Sequence, residues 1–265
     1  MLKLCVAGAA GRMGETIIRE ASAKGHQIVG AIEASDNPSL GKSLKEIGLC
    51  DSDTRIVGVE KIREVVQAAD VYVTFTTPYA EVANLPLVAR LGKRIVLGTT
   101  GFTEEQSRLI KNEVKDRVPA VFSPNYSVGI NILFKLVRAL KVFPQEYTFS
   151  ISEIHHTGKK DAPSGTAKKL GEIIADVRGY TRTIYGREGT SLRAPEELEI
   201  AALRAGGVPG IHTVIVAGQY EMLRIEHTAF SRSVLAQGAI YAAEWLHHQT
   251  QPGIYTMEDV LGLSQ

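Results

Sequence analysis

The densest group of chemically useful side chains lies in Glu153-Ile154-His155-His156-Thr157-Gly158-Lys159-Lys160-Asp161-Ala162-Pro163-Ser164-Gly165-Thr166. It holds two of the chain's seven histidines, two lysines and a helix-start pattern. Imidazoles titrate near neutrality and donate protons, and lysines bring cations to carboxylates. Pro163-Ser164-Gly165-Thr166 opens a helix, where exposed N–H groups hold an anion. Adjacent histidines are poor metal spacing, because a helix site wants i, i+4 and no thiolate is near, so no metal is expected. On a straight strand His155 and His156 point to opposite faces. They serve one site only where the chain leaves strand geometry at about His156, which Thr157-Gly158 permits. A solvated basic loop is the plain alternative.

A second group is Gly8-Ala9-Ala10-Gly11-Arg12-Met13-Gly14, which follows an apolar run and leads into a helical stretch. A dinucleotide pyrophosphate needs a tight turn, a backbone with no Cβ in the way, and free N–H groups at a helix N-terminus. The spacing is GxxGxxG rather than GxGxxG; the strand–turn–helix setting favours binding over a glycine turn that holds nothing. Glu33 ends the next apolar run, 19 residues beyond Gly14. A ribose-binding acid belongs there; it accepts from both hydroxyls and repels a 2′-phosphate. Gly98-Thr99-Thr100-Gly101 and the turn at 75–78 fall where strands of the same sheet end. They are either walls of a ligand crevice or plain connections.

These residues need a scaffold, and the chain supplies one in two halves. Residues 4–7, 28–32, 71–75, 95–97 and 120–122 are short β-rich runs. Amphipathic stretches at 13–24, 62–68, 81–91 and 104–115 separate them, the pattern of βαβ units and a parallel sheet. Thr103 to Gln106 has the form of a capping box. After Ser123-Pro124-Asn125-Tyr126 the pattern changes. Ile130, Leu133, Phe134, Val137 and Leu140 share one helix face. A strand at 147–154, a helix at 164–177 and strands at 197–203, 213–216 and 222–229 follow, making a mixed α+β unit. A last helix over 231–247 carries Ile240, Ala243 and Leu246 on one face.

At 265 residues the chain holds one large or two ordinary domains. Its 44% hydrophobic and 22% charged residues are ordinary for a globular protein and exclude disorder, collagen and coiled coil. Thirty basic against 29 acidic residues leave a net charge of +1, which argues against a nucleic-acid or membrane surface as partner. A small anionic ligand needs only a local basic patch. Cys5 and Cys50 form neither a disulfide framework nor a thiolate metal site, and are read as reduced thiols of a cytoplasmic protein. No apolar stretch approaches the ~18 residues of a membrane span. Residues 2–7, running straight into glycines, are too short for a signal-peptide core.

Four stretches together resemble the 4-hydroxy-tetrahydrodipicolinate reductase (dihydrodipicolinate reductase) family of the diaminopimelate route to lysine. They are GAAGRMG at 8–14, GTTGF at 98–102, SPNYSVGIN at 123–131 and EIHHTGKKDAPSGTA at 153–167. The likeness runs the length of the chain, and the HHxxKxDAPSGTA core beside a GRMG loop is specific to that family. The resemblance implies a Rossmann-like parallel-sheet cofactor domain over 1–126, completed by 232–265. It also implies a mixed α+β domain over 127–231 for substrate binding and oligomerisation in a homotetramer, with hinges near 125–128 and 230–232. The implied reaction is hydride delivery from NADH or NADPH to ring C4 of a cyclic dicarboxylated imine. Water is lost from the 4-hydroxy substrate, and the resulting enamine takes a proton.

By the same resemblance, His155 and Lys159 match the family's acids and His156 a substrate contact. Gly165 and Thr166 match backbone binders of a substrate carboxylate, and Arg232 an arginine near the hinge. Gly8, Ala9, Ala10, Gly11, Arg12, Met13, Glu33, Gly98, Thr99, Thr100, Ser123, Pro124, Asn125 and Tyr126 match cofactor contacts. The chain departs from the pattern at Ala34, where well-known members carry Arg, at Thr157-Gly158, often Arg-His, and at Thr77, in some members Arg. Without a guanidinium at position 34 a 2′-phosphate loses its partner, so NADH is the expected better cofactor. Another nicotinamide-dependent amino-acid or semialdehyde dehydrogenase would explain the glycine loop and Glu33. It would not explain PSGT joined to HHxxK. A silent dinucleotide sensor would have lost the proton donors, and they are all present.

Overall fold

The computed structural model describes residues 1–263. In order come β1 (Lys3–Ala7), α1 (Arg12–Ala23), β2 (Gln27–Glu33), β3 (Ile56–Gly58), α2 (Ile62–Val66), β4 (Val71–Thr74), α3 (Pro78–Arg90), β5 (Arg94–Leu97), α4 (Glu104–Val114) and β6 (Pro119–Phe122). Next are α5 (Val128–Ala139), β7 (Thr148–His155), α6 (Gly165–Arg178), β8 (Arg182–Ile184), β9 (Glu197–Arg204), β10 (Gly210–Ala217) and β11 (Met222–Ala229). The last described elements are α7 (Ser233–His247), β12 (Gly253–Tyr255) and α8 (Met257–Val260). Two compact units result: Met1–Ser127 with the chain from Arg232 on, and Val128–Ser231.

The first unit is built on a parallel seven-stranded sheet of order β12-β6-β5-β4-β1-β2-β3. A parallel sheet is buried on both faces, and alternate residues of one strand feed opposite cores. Leu4 and Val6 of β1 pack with Ile17 and Ile18 of α1 and Ile240 and Leu246 of α7. Cys5 and Ala7 point the other way, towards Tyr72, Leu85 and Ile110. The strand order reverses about β1, which lies between β4 and β2. Such a switch point opens a crevice at the carboxyl ends of the strands, where the glycine loop sits.

The second unit has a five-stranded sheet of order β11-β10-β7-β9-β8. β10 runs antiparallel to β11 and β7, while β7, β9 and β8 are mutually parallel. One face carries α5 and α6: Ile130, Leu133 and Val137, with Leu170 and Ile174, meet Phe149, Ile151, Ile200 and Val214. The α/β class with a separate mixed sheet is therefore as the sequence pattern implied.

Local chemistry sets the boundaries. The Thr103/Gln106 capping box forms at the start of α4. Helix α3 begins at Pro78, three residues before the expected start, because Thr77 caps the Ala80 N–H and proline suits a first helical turn. Strands β3, β8 and β12 were not foreseen; each is a three-residue strand at a sheet edge, too short to show a period. Both cysteines are free thiols. Among the described residues no helix is long and apolar enough to cross a membrane.

Helix α7 reaches its place through small residues, with Ala236, Ala239 and Ala243 fully buried. A Cβ on Gly238 would lie 1.7 Å from the Tyr126 carbonyl oxygen. Gly238→Ala should force the helix off this turn at a cost of about 1–3 kcal/mol or more. Gly253→Ala, whose nearest neighbour would be 3.6 Å away, should cost far less. Thermal unfolding of the two variants side by side checks this; equal losses would contradict the close approach.

Candidate active site

The first unit gathers its polar groups at the carboxyl ends of β1, β2, β4 and β5. Gly8 has φ 71°, the left-handed region that favours glycine. A Cβ on it would come within 2.9 Å of the Phe75 carbonyl oxygen, and one on Gly14 would lie 2.0 Å from the Gly8 oxygen. The loop and helix therefore meet backbone to backbone. Gly11 stands at the N-cap of α1 and supplies no side-chain cap, so the first helical N–H groups are left for an anion. Ala9 is buried, Ala10 and Met13 are half-buried, and Arg12 is exposed. Glu33 accepts from the Ala10 N–H at 2.9 Å and the Ala34 N–H at 3.0 Å, which pins its carboxylate at the glycine loop.

The turns after β4 and β5 are tied by a residue that nothing in the linear sequence marks. Glu81 of α3 is fully buried. Its Oε1 accepts the hydroxyls of Thr74, Thr76 and Thr99 at 2.7, 2.6 and 2.7 Å. The Thr76 N–H donates to the Thr99 hydroxyl oxygen at 2.8 Å. Thr99, Thr100, Ser123 and Pro124 line one groove, and Gly98 leaves the space that the Phe75 ring occupies. The Ser123 hydroxyl donates to the Asn125 carbonyl at 2.7 Å, and Asn125 Oδ1 accepts the Ser127 N–H at 2.8 Å. Tyr126 turns inward. Its hydroxyl lies 2.8 and 2.9 Å from the carbonyl oxygens of Leu97 and Val121, so only its main chain remains for a ligand.

In the second unit β7 ends at His155, and the His156 carbonyl accepts the Lys159 N–H at 3.1 Å. Strand geometry thus stops between the two histidines. His155 is buried and His156 half-buried. Glu153, two residues before His155 on the same strand face, is 0% exposed. Its Oε1 accepts the Ser164 N–H at 3.0 Å and both Arg204 Nη atoms at 3.3 and 3.2 Å. Its Oε2 lies 3.3 Å from His155 Nδ1 and 3.6 Å from His212 Nε2. Arg204 also donates to the carbonyls of Lys159 and Asp161, and Lys159 Nζ pairs with the Asp161 carboxylate at 2.8 Å. Ser164 caps α6 by accepting the Ala167 N–H, and its hydroxyl lies 3.1 Å from His212 Nε2. Gly165 and Thr166 open the helix, and beyond its chain neighbours and the helix's own backbone no described atom lies within 4 Å of a Cβ built on Gly165.

Burial works to raise the Glu153 carboxyl. The neighbouring His155 and the Ser164 hydrogen bonds outweigh it and hold the group down to about 2. Burial, then repulsion from His155, lowers His212 to about 4 against the pull of Glu153. Glu153 is therefore a carboxylate and His212 neutral at pH 7. Glu153, His155 and His212 also bring one donor atom each within 4.8 Å of one another, which the spacing of adjacent histidines does not reveal.

Residues 2–126 match the family model described as dihydrodipicolinate reductase, N-terminus, and residues 129–261 the one described as its C-terminus. The chain belongs to the dihydrodipicolinate reductase family. Curated relatives named 4-hydroxy-tetrahydrodipicolinate reductase include one from Methanosarcina barkeri, 41% identical over 268 residues, with 99% of this chain and 100% of the relative covered. Another, from Syntrophotalea carbinolica, is 40% identical over 269 residues with the same coverage. A solved structure described as dipicolinate-bound dihydrodipicolinate reductase from Paenisporosarcina sp. TG-14 shares the fold. Its TM-score is 0.75 at 21% identity, covering 97% of each chain. An amine dehydrogenase from Mycobacterium smegmatis has a TM-score of 0.66 at 15% identity, covering 97% of this chain and 95% of its own. The family resemblance carried by the four motifs is borne out.

This family member buries a neutral imidazole at His212. Its folded value lies below the ordinary one, so the unfolded chain takes up the proton first as pH falls. The stabilisation is whole above about 6.5 and declines as pH drops to about 4. At about 1.4 kcal/mol per pH unit that amounts to about 3 kcal/mol. The melting temperature should therefore fall between these pH values, and His212→Gln should flatten the slope in scanning calorimetry. An unaltered slope would place the titrating group elsewhere.

Proposed function

We propose that this chain reduces 4-hydroxy-tetrahydrodipicolinate to tetrahydrodipicolinate with a nicotinamide dinucleotide, in lysine biosynthesis through diaminopimelate. One observation carries the reading. In a chain that matches both halves of the reductase family, a single buried carboxylate, Glu153, lies 3.3 Å from His155 Nδ1 and accepts the Ser164 N–H at the start of α6. A proton donor and an anion-binding helix start are thus built as one piece, which a dianionic ring substrate requires.

The first unit suits the dinucleotide. The cradle of Gly8, Gly11 and Gly14 is one that side chains would fill, the α1 N-terminus is free of a side-chain cap, and Glu33 is fixed beside the loop. The helix N–H groups would hold the pyrophosphate, and Glu33 the adenosine ribose diol. Thr99, Thr100, Ser123, Pro124 and Asn125, with the main chain of Tyr126, would bound the rest. When bound, the nicotinamide supplies the hydride for ring C4 of the substrate.

The second unit would hold the ring. The Gly165 and Thr166 N–H groups bind one carboxylate, with His156 and Lys159 adding polar and cationic contacts. His155 and Lys159 are the acids. Loss of the 4-hydroxyl group as water takes up one proton and releases one from the adjacent ring carbon, and after hydride transfer one proton returns to that enamine carbon. A homotetramer would cover apolar side chains of this sheet such as Leu203 and Met222, which are 50% and 62% exposed.

The test is a coupled assay with aspartate semialdehyde, pyruvate and the synthase that condenses them, following loss of NADH absorbance. Absence of synthase-dependent oxidation overturns the reading. His155→Ala and Lys159→Ala should each lower kcat by ~10²–10⁴-fold while NADH binding stays unchanged. Gly165→Val should fold normally, having open space around it, and should raise the substrate KM alone. Unchanged turnover in both acid variants would move the chemistry elsewhere.

Cofactor choice is proposed to favour NADH. Glu33 repels a 2′-phosphate, and Ala34 contributes only its N–H, which is already given to Glu33. The expected advantage in kcat/KM is about 3- to 30-fold, or about 0.7–2 kcal/mol. Ala34→Arg should narrow or reverse it by offering a charge-assisted partner. Kinetics with both cofactors on both proteins decide; a clear NADPH preference in the unsubstituted chain would show a different cation at the 2′ position.

A further inference from the structure

We propose that Glu153 is the positioning residue of the second unit: its carboxylate holds the His155 ring with Nδ1–H facing Oε2, so that Nε2 is the nitrogen that exchanges the proton. The proposal rests on the reading of His155 as a proton donor given above.

The two carboxylate oxygens are used differently. Oε1 takes three hydrogen bonds, from the Ser164 N–H and the two Arg204 Nη groups. Oε2 has none of that kind and faces two imidazoles, His155 Nδ1 at 3.3 Å and His212 Nε2 at 3.6 Å. His155 Nδ1 is itself buried with no hydrogen bond to another described group. The charged atom recorded against that nitrogen, Glu153 Oε2 at 3.3 Å, is an acceptor. An imidazole beside a carboxylate puts its proton on the nitrogen that faces it, and the other nitrogen is left to react. The other nitrogen, Nε2, lies beside Gly210, where a Cβ would come within 3.1 Å. Bare backbone thus keeps one flank of Nε2 open.

Strand register explains why the arrangement is fixed. Glu153 sits opposite His212 on β10, and His155 opposite Arg204 on β9. Sheet pairing places one acid, one cation and two imidazoles on adjacent strands. The groups facing the pair are His212, neutral at pH 7, Arg204, and Lys159 with its partner Asp161; His227 acts on His212 from β11. Among them Glu153 is the acid in contact with His155. When protonated His155 gives its Nε2 proton to substrate, the electron pair stays on Nε2 and Nδ1–H still faces Glu153. The ring need not turn, and Glu153 stays ionised throughout.

Two measurements test this. In the full-length protein, long-range ¹⁵N–¹H correlation of the histidine rings, assigned with His155→Asn, should show neutral His155 as the Nδ1–H tautomer; an Nε2–H tautomer overturns the proposal. This readout needs no turnover, so it decides even if the reductase reading fails in the coupled assay. Glu153→Gln should lower kcat by about 10²-fold with NADH affinity unchanged. It should also move the alkaline limb of the kcat–pH profile to lower pH, because the charge that favours the protonated acid is gone. Glu153→Asp, which keeps the charge, should leave that limb in place. If Glu153→Gln lowers kcat with no movement of the limb, the role is structural only and the proposal falls. If Glu153→Gln fails to fold, the tautomer and Glu153→Asp measurements still decide.

Discussion

A carboxylate removed from water must be compensated on every side, and the second unit is arranged around that demand at Glu153. Burying an unpaired charge costs several kcal/mol even after relaxation. Four groups converge to prevent it: a backbone N–H at the start of α6, the Arg204 guanidinium and two imidazoles. Each brings a different part of the chain. Ser164 brings the helix N-terminus, Arg204 brings the loop carbonyls of Lys159 and Asp161, and His212 brings β10. The start of α6, the lysine loop and His155 are thus held by one charge. Removing it would leave the half-buried Arg204 without its counter-ion, which is why the site and the stability of this unit are difficult to separate.

The first unit solves a different problem with absent atoms. Its glycine loop works because Gly8, Gly14 and the Phe75 carbonyl approach more closely than side chains allow. It too has a buried acid, Glu81, whose single oxygen collects three threonine hydroxyls from β4 and the turns after β4 and β5. Three short donors on one acceptor tie β4 and the turns after β4 and β5 together. In both units the polar groups lie at the carboxyl ends of parallel strands. There, helix N-termini and turn amides point outward together.

The departures from better-known family members now have physical content. Thr157-Gly158 removes two positive groups from the loop after His156, yet Arg204 and Lys159 remain, tied to Glu153 and Asp161. The basic character of the site is concentrated rather than lost. At Ala34 the only polar contribution is an N–H turned back to Glu33. The Glu33 carboxylate is therefore held by backbone N–H groups of Ala10 and Ala34, and its charge is unanswered by any side chain at position 34.

What the sequence determined by itself was whatever rests on short-range chemistry. Glycines at 8, 11 and 14 mark a loop because a Cβ is a local obstacle, and the Thr103/Gln106 cap forms within one turn. The apolar run at 4–7 marks a strand buried on both faces, and helical spacing in 130–140 records which face is buried. His155, Lys159 and the PSGT start were legible because one stretch of chain carries them. Tertiary structure alone decided the rest. Arg204 and His212 lie 51 and 59 residues from Glu153, and only the β7–β9 and β7–β10 registers bring them to it. Nothing in the sequence singles out Glu81; only the packing of α3 brings its carboxylate to three threonines. Tyr126 reads as a contact residue until its ring turns into the core beside Phe75. Hydrogen-bond partners across a sheet are set by strand order and register, and neither is written in the local pattern of a single chain.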